Sequence, residues 1–162
     1  MRWITHQTVT FALTLYITHN PLLSLVSALG SVLPDSLEFK IYGYPVPIWK
    51  HRRILHWPLP YLFLSLISFL KAKAYTFSLP VVFRKGFPNE WQTIVFIVAG
   101  WFFAGAVFHI LQDALCGTVP LFHPRKRNFG KRLFTVGSFP EHFIFMVSIV
   151  AIVWYYRAYF FK

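Results

Sequence analysis

The stretch WQTIVFIVAGWFFAGAVFHILQDAL, residues 91–115, decides how this chain folds. It is long and apolar enough to cross a bilayer hydrocarbon core of about 30 Å as a tilted helix. Trp91 and Trp101 are available for anchoring at the membrane interface or for packing. Near its end, His109 and Asp113 are four residues apart, so on a helix they project from the same surface. The stretch therefore predicts a membrane span that carries polar groups at one end.

The composition of the whole chain agrees with a membrane protein. Of its 162 residues, 56% are hydrophobic, 20% aromatic and 13% charged, which lies outside the range of ordinary soluble domains. Sixteen Lys and Arg against five Asp and Glu give a net charge of +11, which suggests an anionic partner, either lipid headgroups or nucleic acid. The single cysteine, Cys116, excludes an internal disulfide and a cysteine-rich metal site, so any metal must be held by His and carboxylates.

The sequence predicts an all-α fold, a multipass membrane helical bundle with about three to four spans in one domain. Thr8–Ile17 and Pro21–Leu33 should form a short helical hairpin, with Asn20 as the cap of the second helix and Pro21 in its first turn. Each arm would reach only about 18 Å, so we expect the hairpin to be embedded part-way or packed in the bundle. Because Asn20-Pro21 interrupts the apolar run, we expect this segment to be retained rather than removed as a signal peptide.

Further apolar segments follow. Leu55–Leu70 is a candidate span that should begin near Trp57, and Phe139–Tyr156 is a final span. Tyr75–Val82 is short and is predicted as an interfacial segment, whereas glycine and prolines in Lys40–Lys50 predict a loop. A basic stretch without any acid lies before the last span and contains Arg125, Lys126, Arg127, Lys131 and Arg132.

The order of these segments predicts that distant ionisable residues meet on one membrane face. If Trp57–Leu70 crosses the membrane in one direction and Trp91–His109 crosses back, the start of the first segment and the end of the second lie on the same face. The hairpin returns Asp35 to the side of His6. The residues expected there are His6, Asp35, His51, His56, His109, Asp113 and Glu141. His109 and Asp113 can bind one cation, although an isolated structural hydrogen bond would also explain this pair.

The residues near His51 allow more than one interpretation. Lys50–Arg53 could be a basic cluster that binds headgroups beside an interfacial tryptophan. Arg52 could instead clamp a substrate phosphate, since its guanidinium matches two phosphate oxygens. Glu38 either orients a ligand histidine or is a solvated charge.

Taken in order, these residues resemble a known family. Thr5-His6, Leu33-Pro34-Asp35, His51-Arg52 with His56, and His109-x-x-x-Asp113 followed by Gly117, Pro120 and Pro124 are similar to the YdjM-type membrane-bound metal-dependent hydrolases, also described as LexA-binding inner-membrane proteins. The resemblance covers roughly residues 1–142 and includes Glu141 after Gly137-Ser138. The family usually has a His-Arg-Gly-x-Thr-His-Ser string, where this chain has Arg53, Leu55 and Trp57 in place of the small and polar residues.

A more distant similarity is to zinc-dependent phospholipase C and P1 nuclease. It implies that His6, Asp35, one of His51 or His56, His109 and Asp113 bind zinc or activate water. The later His-x-x-x-Glu ligand pair of those proteins is missing, because Met146 stands four residues after His142. A full trinuclear site is therefore not expected.

These observations lead to the prediction of a membrane-embedded metal-dependent hydrolase, a phosphoesterase acting on a lipid or another phosphate ester at the membrane surface. One or two divalent ions, expected to be zinc, would activate water. The predicted metal ligands are His6, Asp35, His51, His56, His109 and Asp113, and the predicted catalytic residues are Asp35, Arg52 and Glu141. Asp35 would bridge metals or act as general base, while Arg52 would neutralise the phosphate.

Two other functions remain to be weighed. A non-enzymatic membrane adaptor could dock an acidic protein or a nucleic acid on residues 125–132, although with Phe129 as the single stacking aromatic a nucleic acid is not the first choice. A transporter is disfavoured because Trp57–Leu70 offers only Ser65 and Ser68 as polar residues. The positive-inside rule places the basic loop and the site on the cytoplasmic side of a bacterial inner membrane, with Lys71, Lys73, Arg84 and Lys85 on the other side counting against this orientation.

Overall fold

The computed structural model describes residues 1–43, 52–72 and 91–160, the side chains of the last two excepted. Helices dominate these residues, which confirms the predicted all-α class. The α-helices are α1 (Trp3–Thr18), α2 (Pro21–Gly30), α3 (Leu33–Tyr42), α4 (Pro58–Lys71), α5 (Trp91–Cys116) and α6 (Phe139–Phe160). A 3-10 helix covers Ile54–His56, and two short strands, β1 (Val119–Pro120) and β2 (Arg127–Phe129), pair antiparallel. Predictions for His51, for residues 44–50 and for Tyr75–Val82 lie outside the described residues.

The N-terminal hairpin forms as its turn residues predict. Helix α1 ends where His19 takes a left-handed conformation with φ of 52°. The side chain of Asn20 then accepts hydrogen bonds from the backbone N–H groups of Leu22 and Leu23, at 2.9 and 3.1 Å. Pro21 occupies the first turn of α2, where its missing N–H costs no helical hydrogen bond.

The predicted second arm, Pro21–Leu33, corresponds to the short helix α2, but the helix that follows it was not predicted. After a turn at Ser31 and Val32, the chain continues as α3, because Pro34 lies in the first helical turn, where proline is tolerated. Pro21–Tyr42 as a whole is long and apolar enough to cross a membrane. Lys40, predicted as the start of a loop, lies in the last turn of α3.

Among the described residues, three helical segments have the length and hydropathy of a membrane span: Pro21–Tyr42, Trp91–Cys116 and Phe139–Ala158. The last two confirm the predicted spans in these regions. Helix α4 begins at Pro58, as its prolines predict, but it has only 14 residues. At 1.5 Å per residue it extends about 21 Å, which is shorter than a hydrocarbon core of about 30 Å. The sequence therefore predicted both ends of α4 to within one residue, but a helix of this length does not reach across the core, and its interpretation as a span is not supported.

Helix α5 is central and packs against α2 and α4. A Cβ added at Gly30 would lie 1.8 Å from the carbonyl oxygen of Phe102, and one at Gly105 would lie 1.9 Å from that of Ser27. The backbones of α2 and α5 are thus in direct contact, a packing that small residues permit between membrane helices. Ser65 of α4 donates a hydrogen bond to the carbonyl oxygen of Gly100 at 2.9 Å, which fixes α4 against α5.

The segment after α5 folds back over the end of that helix. The backbone N–H groups of Lys131 and Leu133 donate to the carbonyl oxygens of Ala114 and Leu115, each at 2.9 Å. The predicted basic loop therefore contains strand β2, which the sequence did not predict, and it closes the end of α5 that carries His109 and Asp113.

Candidate metal centre

Four buried or nearly buried side chains from three parts of the chain meet at one end of the bundle. Asp35 lies in the first turn of α3, His56 ends the 3-10 helix, and His109 and Asp113 lie on one face of α5. Each offers one ligand atom, and these four atoms lie within 4.8 Å of one another. The predicted convergence of these residues is therefore observed, and the set could hold a metal ion.

Five of the six distances within the group are close to those around a tetrahedral ion. The Nε2 atom of His56 lies 3.2 Å from Asp35 Oδ1 and 3.4 Å from Asp113 Oδ2. The Nε2 atom of His109 lies 3.5 and 3.6 Å from the same two oxygens and 3.3 Å from His56 Nε2. Tetrahedral coordination at about 2.0–2.2 Å separates neighbouring ligand atoms by about 3.3–3.6 Å. Two imidazole nitrogens and two carboxylate oxygens at this spacing require a positive charge between them, either a proton or a cation.

Glu38 orients one of these ligands. Its Oε1 accepts a hydrogen bond from Nδ1 of His56 at 2.9 Å and another from the backbone N–H of Arg52 at 3.0 Å. Because Nδ1 donates to Glu38, the other ring nitrogen of His56, Nε2, faces the ligand atoms of Asp35, His109 and Asp113. Since Glu38 is 1% exposed, its alternative interpretation as a solvated charge is wrong.

His56 has an unusual affinity for protons in the absence of a metal. Burial by itself would lower its pKa, but hydrogen bonds with Asp113, Asp35 and Glu38 outweigh burial and hold the pKa of His56 well above its ordinary value. The metal-free group therefore keeps a proton on His56, which supplies the positive charge that the surrounding carboxylates require.

His6 extends the group on the other side of Asp113. Its Nε2 lies 3.3 Å from Asp113 Oδ1, and its ring centroid lies 3.9 Å from that of His109. Its Nδ1 bonds to Gln112 Oε1 at 3.2 Å, while the Gln112 amide donates to Thr10 Oγ1 at 2.9 Å. Burial lowers the pKa of His6 to about 4, so its ring is neutral at pH 7. Because Nδ1 carries the ring proton toward Gln112, Nε2 presents a lone pair to the site.

Gln112 is the residue of this site that the sequence reasoning missed. It is a buried polar residue in a mostly apolar helix, one position before Asp113, and this placement was the available signal. Its partners, His6 and Thr10, are four residues apart on α1 and therefore lie on the same face of that helix. The amide of Gln112 therefore connects α1 to α5 directly beside the candidate ligands.

Arg52 makes contact with the site through the other oxygen of Asp113. Its Nη2 donates to Asp113 Oδ1 at 2.9 Å, and its backbone has a left-handed φ of 57°. A Cβ added at Gly117 would lie 2.7 Å from Nη1 of Arg52, so the guanidinium occupies space that only glycine leaves free. The side chain of Arg52 is 14% exposed and paired, which is unlike a solvated headgroup-binding cation.

The two oxygens of Asp113 have different surroundings. Oδ2 faces His56 and His109, whereas Oδ1 faces His6 and Arg52 and lies 3.2 Å from the amino nitrogen of Met1. Within the described part of the chain, His6 Nε2, His109 Nδ1 and Arg52 Nε are buried atoms that have no hydrogen-bond partner. The lone pair of His6 Nε2 is available to a bound ion, and the N–H of Arg52 Nε is available to an anionic substrate.

Glu141 is not brought into the four-residue group. Its Oε1 accepts a hydrogen bond from the backbone N–H of Arg2, and its Oε2 accepts one from Gly137 at 2.6 Å. Both oxygens therefore accept hydrogen bonds from backbone amides, and Glu141 links the start of α1 to the start of α6. His51 lies outside the described residues. The histidines for which the sequence predicts no role in the site also lie apart from the group: His19, His123 and His142.

The comparison with known proteins gives one match. The family described as YdjM inner membrane protein matches residues 1–161, which is nearly the whole chain. No curated protein and no solved structure matches.

Proposed function

Since the chain belongs to the YdjM inner membrane protein family, we propose that it is a membrane-embedded metal-dependent hydrolase that acts on a phosphate ester of a lipid or of another molecule at the membrane surface. One observation carries the proposal: the ligand atoms of Asp35, His56, His109 and Asp113 lie within 4.8 Å of one another at one end of the bundle. Ionisable side chains are costly in such a helical membrane protein, so their collection at one point favours a functional site.

Zinc is the ion that this donor set fits best. Two imidazoles and two carboxylates at tetrahedral spacing are typical of zinc, whereas magnesium and calcium prefer six or more oxygen ligands. A bound divalent ion supplies Lewis acidity and lowers the pKa of water to about 7. His6 offers a further neutral nitrogen on the opposite side of Asp113.

Three side chains have distinct chemical tasks in the proposed reaction. Asp35 is 14% exposed, more than its neighbours His56 and Asp113, and we assign it the role of accepting a proton from the attacking water. His56, His109 and Asp113 would then be the three protein ligands, which leaves the ion one position for that water. Arg52 neutralises the phosphate with the guanidinium hydrogens that Asp113 does not use. Glu38 keeps His56 in the orientation that the reaction needs.

We propose that this end of the bundle faces the cytoplasm. The five cations between α5 and α6 support this orientation, because basic residues next to membrane spans favour the cytoplasmic side. Labelling of a cysteine introduced at Lys131 with a membrane-impermeant reagent tests it: protection in intact spheroplasts is expected, and labelling there would reverse the orientation.

The hydrolase proposal is tested by metal analysis and activity on the same purified samples. We expect about one or two zinc ions per chain and metal-dependent hydrolysis of bis(p-nitrophenyl) phosphate or of phospholipid vesicles. His109→Ala and Asp113→Asn should lose both the metal and the hydrolysis. His142→Ala is the control, because His142 is exposed and bonds to the backbone of Ser138, just before its own helix. Full activity in metal-free protein, or in the two ligand variants, would overturn the proposal.

A further inference from the structure

The segment between α5 and α6 has an unusual surface. Residues 121–139, which we call the basic–apolar loop, contain no acidic residue. All five of its Lys and Arg side chains are exposed: Arg125, Lys126, Arg127, Lys131 and Arg132. None of the carboxylates that the structure describes pairs with them, because Asp35, Glu38, Asp113 and Glu141 have other partners. The carboxylates of the described residues therefore leave these five positive charges uncompensated.

Large apolar side chains are exposed on the same loop. Phe122 is 78%, Leu133 65% and Phe139 80% exposed. In water such a group of exposed apolar side chains is unfavourable next to solvated cations. At a membrane surface the two kinds of side chain are compatible, because the apolar groups enter the interface while the cations remain at the level of the headgroups.

The loop is fixed in position. Strand β2 pairs with β1, with Phe129 opposite Val119, and the N–H groups of Lys131 and Leu133 bond to the end of α5. Gly130 has a φ of 110°, and a Cβ there would lie 2.3 Å from the carbonyl oxygen of Gly117. On the other side, Trp57 donates from Nε1 to the carbonyl oxygen of Leu121 at 2.9 Å. The cations are therefore carried on a fixed segment that begins at the end of one candidate span and ends at the start of another.

We propose that the basic–apolar loop is a binding surface for anionic lipid headgroups of the bilayer that contains the protein. Its cations bind lipid phosphates, and Phe122, Leu133 and Phe139 lie at the boundary between headgroups and acyl chains. A lipid surface is favoured over an acidic protein or a nucleic acid because the exposed apolar side chains and the adjoining spans place this loop beside lipid. The loop is separate from the metal ligands, so the inference does not depend on the proposed hydrolysis.

The test measures which lipids the full chain retains. The protein is reconstituted in nanodiscs that contain equal amounts of phosphatidylglycerol and phosphatidylcholine, and the lipids bound after release are counted by native mass spectrometry. We expect a preference for phosphatidylglycerol. Each cation near a membrane surface contributes enough that its removal should lower the preference about fivefold. The variant Arg125→Gln/Lys126→Gln/Arg127→Gln should therefore lose most of it.

A variant matched in charge provides the control. Lys73→Gln/Arg84→Gln/Lys85→Gln removes three cations that lie elsewhere in the sequence, and it should lose clearly less of the preference than the loop variant. Metal content should be unchanged in both variants, which separates this inference from the proposed function. The wild-type chain gives a second measurement that needs no substitution, since the preference should fall as ionic strength rises. An equal loss in both variants, a preference that salt does not alter, or loop-dependent capture of nucleic acid or acidic protein without lipid selectivity would overturn the proposal.

Discussion

Replacing Glu38 tests whether the buried polar cluster is built to hold a metal. Glu38 touches no other carboxylate of the proposed ligand set, and its Oε1 accepts hydrogen bonds from His56 Nδ1 at 2.9 Å and from the backbone N–H of Arg52 at 3.0 Å. Glu38→Gln keeps a side-chain oxygen of the same reach but removes its charge. Glu38→Ala leaves both donors without this acceptor.

The structure sets the expected magnitude. Loss of a hydrogen-bonding partner of a metal-bound histidine weakens metal binding about 10- to 100-fold, or about 1.4–2.8 kcal/mol. Glu38 is 1% exposed, so solvent screens its interaction with His56 very little. Because glutamine can still accept one hydrogen bond, we expect about tenfold weaker zinc binding for Glu38→Gln. Alanine should approach the upper limit of about 100-fold.

Competition with a chromogenic chelator on detergent-purified protein measures these affinities. Glu141→Gln is the matched control, because Glu141 is also 1% exposed and bonds to backbone amides outside the four-residue group. Both Gln variants should lose some thermal stability, but only Glu38→Gln should lose zinc affinity. If Glu38→Gln and Glu141→Gln bind zinc as tightly as the parent while Asp113→Asn does not, His56 is not an oriented metal ligand and the reasoning fails.

Three further predictions follow from individual contacts. Gly117→Ala should displace the Arg52 guanidinium, whose Nη1 would lie 2.7 Å from the new Cβ. Zinc content should persist, while the KM for a phosphate ester should rise about tenfold because one charge-assisted interaction is lost. An unchanged KM would contradict the role of Arg52. Zinc affinity should fall as the pH is lowered, because the raised pKa of His56 means that a proton competes with the ion; titration in weak buffer should detect proton release on zinc uptake, and its absence would contradict this assignment. Gly30→Ala should lower the free energy of unfolding by about 2 kcal/mol or more, because its Cβ would meet the backbone of Phe102 at 1.8 Å. Gly100→Ala is the control and should cost less, because the nearest atoms to its Cβ belong to the side chain of Phe69. Equal melting temperatures of the two variants would show that α2 and α5 can separate without loss of stability.

The sequence predicted those parts of the fold that depend on local signals. The Asn20 cap and Pro21 predicted the turn between α1 and α2, and the apolar length of residues 91–115 predicted α5. Helix α3 was missed because a proline in the first turn of a helix and a proline in a loop give the same sequence signal, and only packing distinguishes them. Both ends of α4 were predictable, since prolines mark its start and Lys71 its end, but its apolar composition suggested a span that its length does not reach.

The candidate site was predictable in part, because the direction of the spans and the spacing of residues on a helix can be inferred from the sequence. Alternating span directions brought Asp35, His56, His109 and Asp113 to one face, and the spacing of His109 and Asp113 gave their common helical surface. The partners of Glu141 and Arg52 were not predictable, because they depend on side-chain contacts between residues far apart in sequence. Glu141 reaches the backbone of Arg2, and Arg52 reaches Asp113, across separations that carry no periodic signal.

The two faces of the Asp113 carboxylate have a consequence for biosynthesis. Its oxygens contact His6 of α1, Arg52 and His56, which all precede α5 in the chain, and His109 on α5 itself. His6 is therefore synthesised about 100 residues before Asp113 and lacks this partner until α5 has emerged. Because His109 and Asp113 lie on α5, the ion can bind only after this helix has been made. A nascent chain arrested before α5 should therefore be inserted in the membrane but bind no zinc.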